Sequence, residues 1–225
     1  MNPKENAAIK ALEWVKQGYS LGLGTGSTAD YFVRALTQLP FLNTLTLVTS
    51  SFSTSVLARS LGLLIQPFEA ITHLDLYIDG ADEIDPRLNL IKGRGAAMLQ
   101  EKILATAAKS FLVVADESKL VNSLGTHFPV PVEVIPMAYR QIENTLQNLG
   151  ATTMLRKGSG KDGPIITDCG NFLIDARFSP TQNFESLSTA INQIPGVVGH
   201  GIFIGLSKMA ILGHDTGARV LVPKE

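Results

Sequence analysis

The feature that most constrains the fold is an alternation. Short apolar runs at residues 19–23, 44–49, 73–78 and 111–115 are separated by stretches whose apolar residues recur at helical spacing. Helices are predicted over residues 4–17, from the glycines after residue 23 to about residue 39, and over 53–61 and 96–109. Residues 63–66 read as a short strand or an extended link. Strand–helix alternation specifies an α/β fold with a parallel sheet, because parallel neighbours need a crossover between them. Such sheets hold ligands at the carboxyl ends of their strands. The four runs end in Gly24-Thr25-Gly26-Ser27-Thr28, Ser50-Ser51, Asp79 and Asp116-Glu117-Ser118-Lys119, so chemistry-bearing residues collect on one edge.

After Lys119 the pattern changes. Pro129, Pro131 and Pro136 mark a boundary in FPVPVEVIP. A helix (138–149), strand-like runs (151–156 and 164–178), a helix (184–194) and the run 197–205 follow. With FPVPVEVIP as the first strand, the order is strand-helix-strand-strand-helix-strand, the split βαβ or ferredoxin-like pattern. Residues 128–206 are read as a smaller α+β domain, and residues 1–127 plus 207–225 as the catalytic one. The tail reads as a hairpin turning at Asp215-Thr216-Gly217 that rejoins the larger domain.

Composition serves to exclude. A chain of 225 residues, 45% hydrophobic, can bury the core of one large domain or two small ones. A net charge of −1 provides no field to draw it to nucleic acid or a membrane surface. The single cysteine, Cys169, excludes an internal disulfide and suits a reducing cytoplasm. The opening MNPKENAAIKALEWVKQG lacks the apolar core of a signal peptide, and no apolar run approaches the ~20 residues of a bilayer span. The expectation is a soluble cytoplasmic protein with no nucleic-acid or membrane partner.

A strand, a glycine loop and a helix in succession make a phosphate site, since loop and helix N–H groups point at the anion. In residues 24–28, Ser27 and Thr28 add hydroxyls. No lysine follows, as a Walker loop requires, and Ser27 stands where a dinucleotide fingerprint needs its third glycine. The alternative is a tight turn with Ser27 as helix cap.

The densest chemistry lies in residues 78–102. Asp79 and Asp82 flank Gly80 and Ala81, Glu83 follows, Lys92 and Arg94 alternate with Gly93 and Gly95, and Glu101 lies on the next helix. On that helix Lys102, Thr106 and Lys109 share a side that should face water, and Glu101 lies away from it beside Ala105 and Ala108. A carboxylate on an alanine flank is partly desolvated, which raises its pKa toward that of a useful base; the alternative is an ordinary surface Glu. Asp79 and Asp82 can bind sugar hydroxyls or simply shape a turn. Lys92, after an apolar pair, can stabilise an oxyanion, though a solvated lysine is the alternative for it and for Lys119. Asp79, Asp82, Glu83 and Asp85 lack calcium-loop spacing, and His73, His127, His200 and His214 are scattered, so no metal site is expected.

In this order and spacing, GLGTGST, YIDGADEID, IKGRGAAMLQEKI, VVADESK and FPVPVEVIPMA resemble the type A ribose-5-phosphate isomerase family. The likeness extends to ITDCGNFLIDARF and INQIPGVVGHGIF. The resemblance implies a Rossmann-like domain plus a ferredoxin-like one, in homodimers or homotetramers. It implies interconversion of D-ribose 5-phosphate and D-ribulose 5-phosphate in the pentose phosphate pathway, without a cofactor. Glu101 matches the base that shuttles a proton between C1 and C2 through an enediolate. Asp79, Asp82 and Lys92 match the ring-opening and hydroxyl-binding residues, with Lys92 near the developing oxyanion. Thr25, Gly26, Ser27 and Thr28 match the loop at the phosphate end, Lys119 a further substrate-binding lysine, and Lys4 a phosphate-reaching one. Gly80, Ala81 and the backbone of Gly93, Arg94 and Gly95 complete the expected substrate-binding set. The family commonly has glycine where this chain has Arg94. Three alternatives are a sugar-phosphate sensor, which would not need Glu101, a related deaminase or isomerase, and a nicotinamide dehydrogenase, which Ser27 disfavours.

Overall fold

The computed structural model describes residues 2–158, 160 and 162–223. Asn2 accepts from Lys4 N at 3.0 Å and Pro3 fills the first turn, which starts helix α1, Pro3–Ala11. Strand β1 (Ser20–Leu23), helix α2 (Ser27–Ala35), strand β2 (Thr46–Thr49) and helix α3 (Phe52–Ser60) follow. The chain then forms β3 (Leu76–Asp79), the short strands β4 (Glu83–Ile84) and β5 (Leu90–Ile91), helix α4 (Met98–Ala107) and β6 (Phe111–Asp116). Next come β7 (Val130–Val134), α5 (Tyr139–Asn148), β8 (Thr152–Leu155), β9 (Phe172–Arg177), α6 (Phe184–Asn192) and β10 (Val197–His200). Strands β11 (Ile202–Phe203), β12 (Ser207–His214) and β13 (Gly217–Leu221) complete the order. Among the described residues, no helix is long and apolar enough to cross a membrane.

The main sheet has the order β13-β12-β6-β3-β1-β2 and is parallel except for the β12–β13 hairpin. Side chains alternate across it with the period of two that a strand imposes. Leu76, Ile78, Leu112 and Val114 enter the core beneath α1, α2 and α3, while Tyr77, Phe111, Val113 and Ala115 enter the core on the opposite face with Met98 and Leu104. Both faces are covered, so these strands read as continuous apolar runs. A second sheet, β10-β7-β9-β8, is wholly antiparallel and carries its own core with Ile142, Leu146, Leu187 and Ile191 of α5 and α6. The mostly parallel sheet and the separate ferredoxin-like sheet are the architecture expected.

Three details differ from the sequence reading. The first helix ends at Ala11 and tightens into a 3₁₀ turn over Leu12–Trp14, so Val15 is extended rather than helical. Residues 164–178 are not one strand: Thr167 N donates to Asn171 O, and the chain folds back to pair Ile166 with Phe172. The run 197–205 breaks at Gly201, where a Cβ would stand 2.1 Å from Lys92 O. Beyond that break β11 leaves the second sheet and pairs with β5, which in turn pairs with β4. This small third sheet carries Lys92 between the two larger ones.

Candidate active site

The chain leaves β1 for β2 on one side and returns to β3 on the other, which makes the β1–β3 boundary a switch point of the sheet. A cleft of about 310 Å³ opens there. Thr25, Gly26, Ser27 and Thr28 form one wall and Gly80, Ala81 and Asp82 another. Lys92, Gly93, Arg94 and Gly95 close it with Glu101, and Lys4 and Lys119 stand at its edge. Every site residue expected from the sequence lines this cleft except Asp79. Hollows of about 610 and 570 Å³ lie elsewhere, and neither holds a buried ammonium facing a buried carboxyl.

Asp79 lies beneath the cleft floor, fully buried at the end of β3. Its Oδ1 accepts from Thr25 N at 3.0 Å and from Gly80 N at 2.7 Å. Its Oδ2 accepts from the Tyr77 hydroxyl and lies 2.9 Å from Lys92 Nζ. Four donors thus saturate one carboxylate. Gly24 makes room for it, since a Cβ at that position would fall 2.1 Å from Asp79 Oδ1. Tyr77 was not singled out from the sequence, although it precedes Asp79 by two residues and so had to share its face of the strand.

Lys92 and Glu101 form a buried ion pair. Lys92 Nζ donates to Gly80 O at 2.5 Å and lies 3.2 Å from Glu101 Oε2. Both side chains are 3% exposed. Beyond that ion pair Glu101 Oε2 accepts no aligned hydrogen bond, in contrast to the saturated Asp79. One ammonium stands between two buried carboxyls, and a second unbalanced negative charge there is costly. Burial pushes the Glu101 carboxyl up to about 8, with Asp79 adding to the rise and Lys92 opposing it. Burial disfavours the Lys92 ammonium, but Asp79 and Glu101 outweigh that and hold its pKa above the ordinary lysine value.

Asp82 Oδ2 accepts from Arg94 N at 3.0 Å, which ties the two loops across the cleft. The left-handed residues of the basic loop are Gly93, at φ +105°, and Ala96, at φ +65°. Arg94 is not among them, so its side chain is carried there without backbone strain. Its guanidinium lies 5.5 Å from the Phe128 ring and the Lys119 ammonium 5.2 Å from the same ring, both at the cleft mouth.

At the opposite wall Thr25 Oγ1 turns inward, 2.8 Å from Ser50 Oγ and 2.7 Å from Ser51 Oγ. The cap of α2 is Gly26, at φ +111°, and not Ser27. Ser27 is the first helical residue, and its Oγ accepts from Lys4 Nζ at 2.8 Å. A residue without a side chain at the cap leaves the first turn of α2 facing the cleft with its N–H groups uncovered.

Other sequence readings sort differently. Glu83 is buried and accepts from Gly125 N at 2.6 Å and from His127 N and Phe128 N, so it holds the loop into the smaller domain. Asp85 accepts from Arg87 N and Asn89 N and shapes a turn. Lys102 does not face water with Thr106 and Lys109. The corner between β10 and β11 covers it, and its Nζ donates to Ile202 O at 2.8 Å. Among the described residues, no three His, Cys, Asp or Glu side chains are grouped to hold a metal ion.

A mostly parallel sheet with a buried lysine–carboxyl pair beside a glycine loop at its switch point is the arrangement of an α/β enzyme. More narrowly, the chain belongs to the ribose 5-phosphate isomerase A (phosphoriboisomerase A) family, whose model matches residues 46–217. It is 44% identical to ribose-5-phosphate isomerase A of Methanothermobacter thermautotrophicus over 223 residues, 98% of each chain. The solved ribose 5-phosphate isomerase A of Methanocaldococcus jannaschii superposes with a TM-score of 0.92 at 40% identity, covering 97% of each chain. A D-ribose-5-phosphate isomerase solved with phospho-erythronic acid superposes at 0.93 and 40% identity, covering 99% of this chain and 100% of that one.

Proposed function

We propose that this chain interconverts D-ribose 5-phosphate and D-ribulose 5-phosphate without metal or cofactor. The observation that carries the reading is the buried Glu101 carboxyl, whose Oε2 is ion-paired at 3.2 Å with the Lys92 ammonium on one cleft wall and accepts no aligned hydrogen bond. The glycine loop with Lys4 forms another wall of the same cleft. A 40%-identical neighbour holds phospho-erythronic acid, a short polyhydroxy acid phosphate, and we assign the same class of ligand to this cleft.

In the forward direction ionised Glu101 takes the proton from C2 of the open-chain aldose. The electron pair moves into a C1–C2 double bond, and charge develops on O1, where the Lys92 ammonium stabilises it. Transfer of the O2 proton to O1 and return of the carbon-bound proton from Glu101 to C1 give the ketose. Asp82 binds sugar hydroxyls and assists ring opening, while Asp79 holds Lys92 and the Thr25 backbone in place from below. The N-terminal turn of α2, Ser27, Thr28, Lys4 and Lys119 take the phosphate. The reaction belongs to the non-oxidative branch of the pentose phosphate pathway, and we assign the protein to the cytoplasm as a homodimer or homotetramer. We also propose the division into residues 1–127 plus 207–225 and residues 128–206, since the main sheet is interrupted between β6 and β12.

The test is turnover of ribose 5-phosphate in deuterated water after dialysis against a chelator. Ketose should form and the exchanging carbon should take up label. No turnover of the sugar phosphate by folded protein, or a loss restored only by a divalent ion, would overturn the reading.

A further inference from the structure

One side chain of the smaller domain hydrogen-bonds the basic loop of the cleft. Arg156 follows β8, and Asp175 of β9 grips its guanidinium by two bonds, from Nε and from Nη2. The side chains are 13% and 10% exposed. The remaining nitrogen, Nη1, donates to Gly93 O at 3.0 Å and to Arg94 O at 3.1 Å.

The peptide joining Gly93 to Arg94 is therefore held at both ends. Its carbonyl bonds the Arg156 cation, and its N–H donates to Asp82 Oδ2 at 3.0 Å. A cation on a carbonyl draws charge along the peptide and strengthens its N–H as a donor. The next peptide has its carbonyl on the same Nη1 and belongs to Gly95, which lines the cleft. The loop needs external support, because Ala96 sits at φ +65° without being glycine.

We propose that Arg156 is a positioning residue for the isomerisation. From the smaller domain it fixes and polarises the peptides of residues 93–95, and so aims Asp82, the Gly95 N–H and Lys92 into the cleft. The inference rests on the isomerase reading above. A lysine cannot substitute, because the task needs a planar fork that serves a carboxylate on one edge and two carbonyls on the other.

The decisive experiment is a double-mutant cycle of Arg156→Lys and Asp82→Asn, with kcat, KM and thermal melting for each protein. Arg156→Lys should melt close to wild type and lose about 10- to 100-fold in kcat, with KM within about threefold. The double variant should lose much less than the product of the two single losses, because both act on one peptide. Multiplicative losses, or a folded Arg156→Lys with kcat within twofold, would overturn the proposal. Arg87→Ala is the control. It breaks the exposed 3.0 Å pair with Glu185, which also joins α6 to the β4–β5 turn but touches no cleft residue, and kcat should hold. An equal loss in Arg87→Ala would mean general tethering and sink the positioning role. If Arg156→Lys does not fold, Asp175→Asn, which loosens the fork but keeps Arg156, should lower kcat at least threefold, and an unchanged kcat would refute the idea. Wild-type protein inactive on ribose 5-phosphate would fail the isomerase reading and this inference with it, whereas active wild type with indifferent variants fails this inference alone.

Discussion

Replacing Glu101 by Gln preserves shape and removes the group that carries the proton. On the mechanism above, kcat should fall at least ~10²-fold, about 2.7 kcal/mol of barrier, with KM nearly unchanged. The same substitution should make the protein more stable, and only at higher pH. The Glu101 carboxyl titrates near 8 when folded and at 4.5 in the reference state. Between those values the folded chain keeps a proton that the unfolded chain has lost, so wild-type stability declines as pH rises through the window. At 1.36 kcal/mol per unit the full shift corresponds to about 5 kcal/mol as an upper bound. Relaxation of Lys92 and entry of water reduce this, and about 2 kcal/mol is expected. Urea unfolding of both proteins at pH 4.5 and pH 8.5 measures it: midpoints should agree at the acid end, and the variant should lead at the alkaline end. In wild type, kcat/KM should rise with pH as Glu101 ionises. A variant with near-normal kcat, or a stability difference that is the same at both pH values, would refute the argument from burial.

Arg94→Gly should keep turnover within roughly tenfold, below ~1.4 kcal/mol of barrier, because the guanidinium lies on Phe128 at the mouth; a larger loss in steady-state kinetics would place it in the chemistry. Gly24→Ala should cost about 1–3 kcal/mol of stability and more than about 100-fold in kcat/KM, since its methyl displaces Asp79; a variant that melts and turns over like wild type would deny that contact its role. Unphosphorylated ribose should be turned over at least ~10³-fold less efficiently than ribose 5-phosphate, and comparable efficiencies would contradict the assignment of the glycine loop as phosphate grip.

The cleft edge was legible because strand ends are local. Each apolar run stops where a polar residue begins, and parallel strands bring those stops together, which is how residues 24–28, Asp79 and Lys119 could be grouped before any coordinates. What the sequence hid depends on contacts between distant segments. A helical wheel sees one helix, so Lys102 read as solvated when β10 and β11 in fact cover it. Arg156 lies 63 residues from the Gly93 carbonyl it bonds, and no local pattern pairs them. One of the two left-handed positions of the basic loop falls on Ala96, a residue type that gives no hint of it.

Asp79 gathers Thr25 N, Gly80 N and Lys92 around a single carboxylate. The loop assigned to the phosphate and the lysine assigned to the oxyanion are therefore bolted to the same point. On the proposed reading, the spacing between phosphate grip and proton acceptor is a fixed gauge, and neither end can yield to suit the other. A sugar phosphate one carbon longer cannot seat its phosphate and present its reacting carbons to Glu101 at once, when a misplacement of about 1 Å costs about 10²-fold. Chain length is then measured by the rigidity of one buried acid rather than by any side chain that touches the extra carbon.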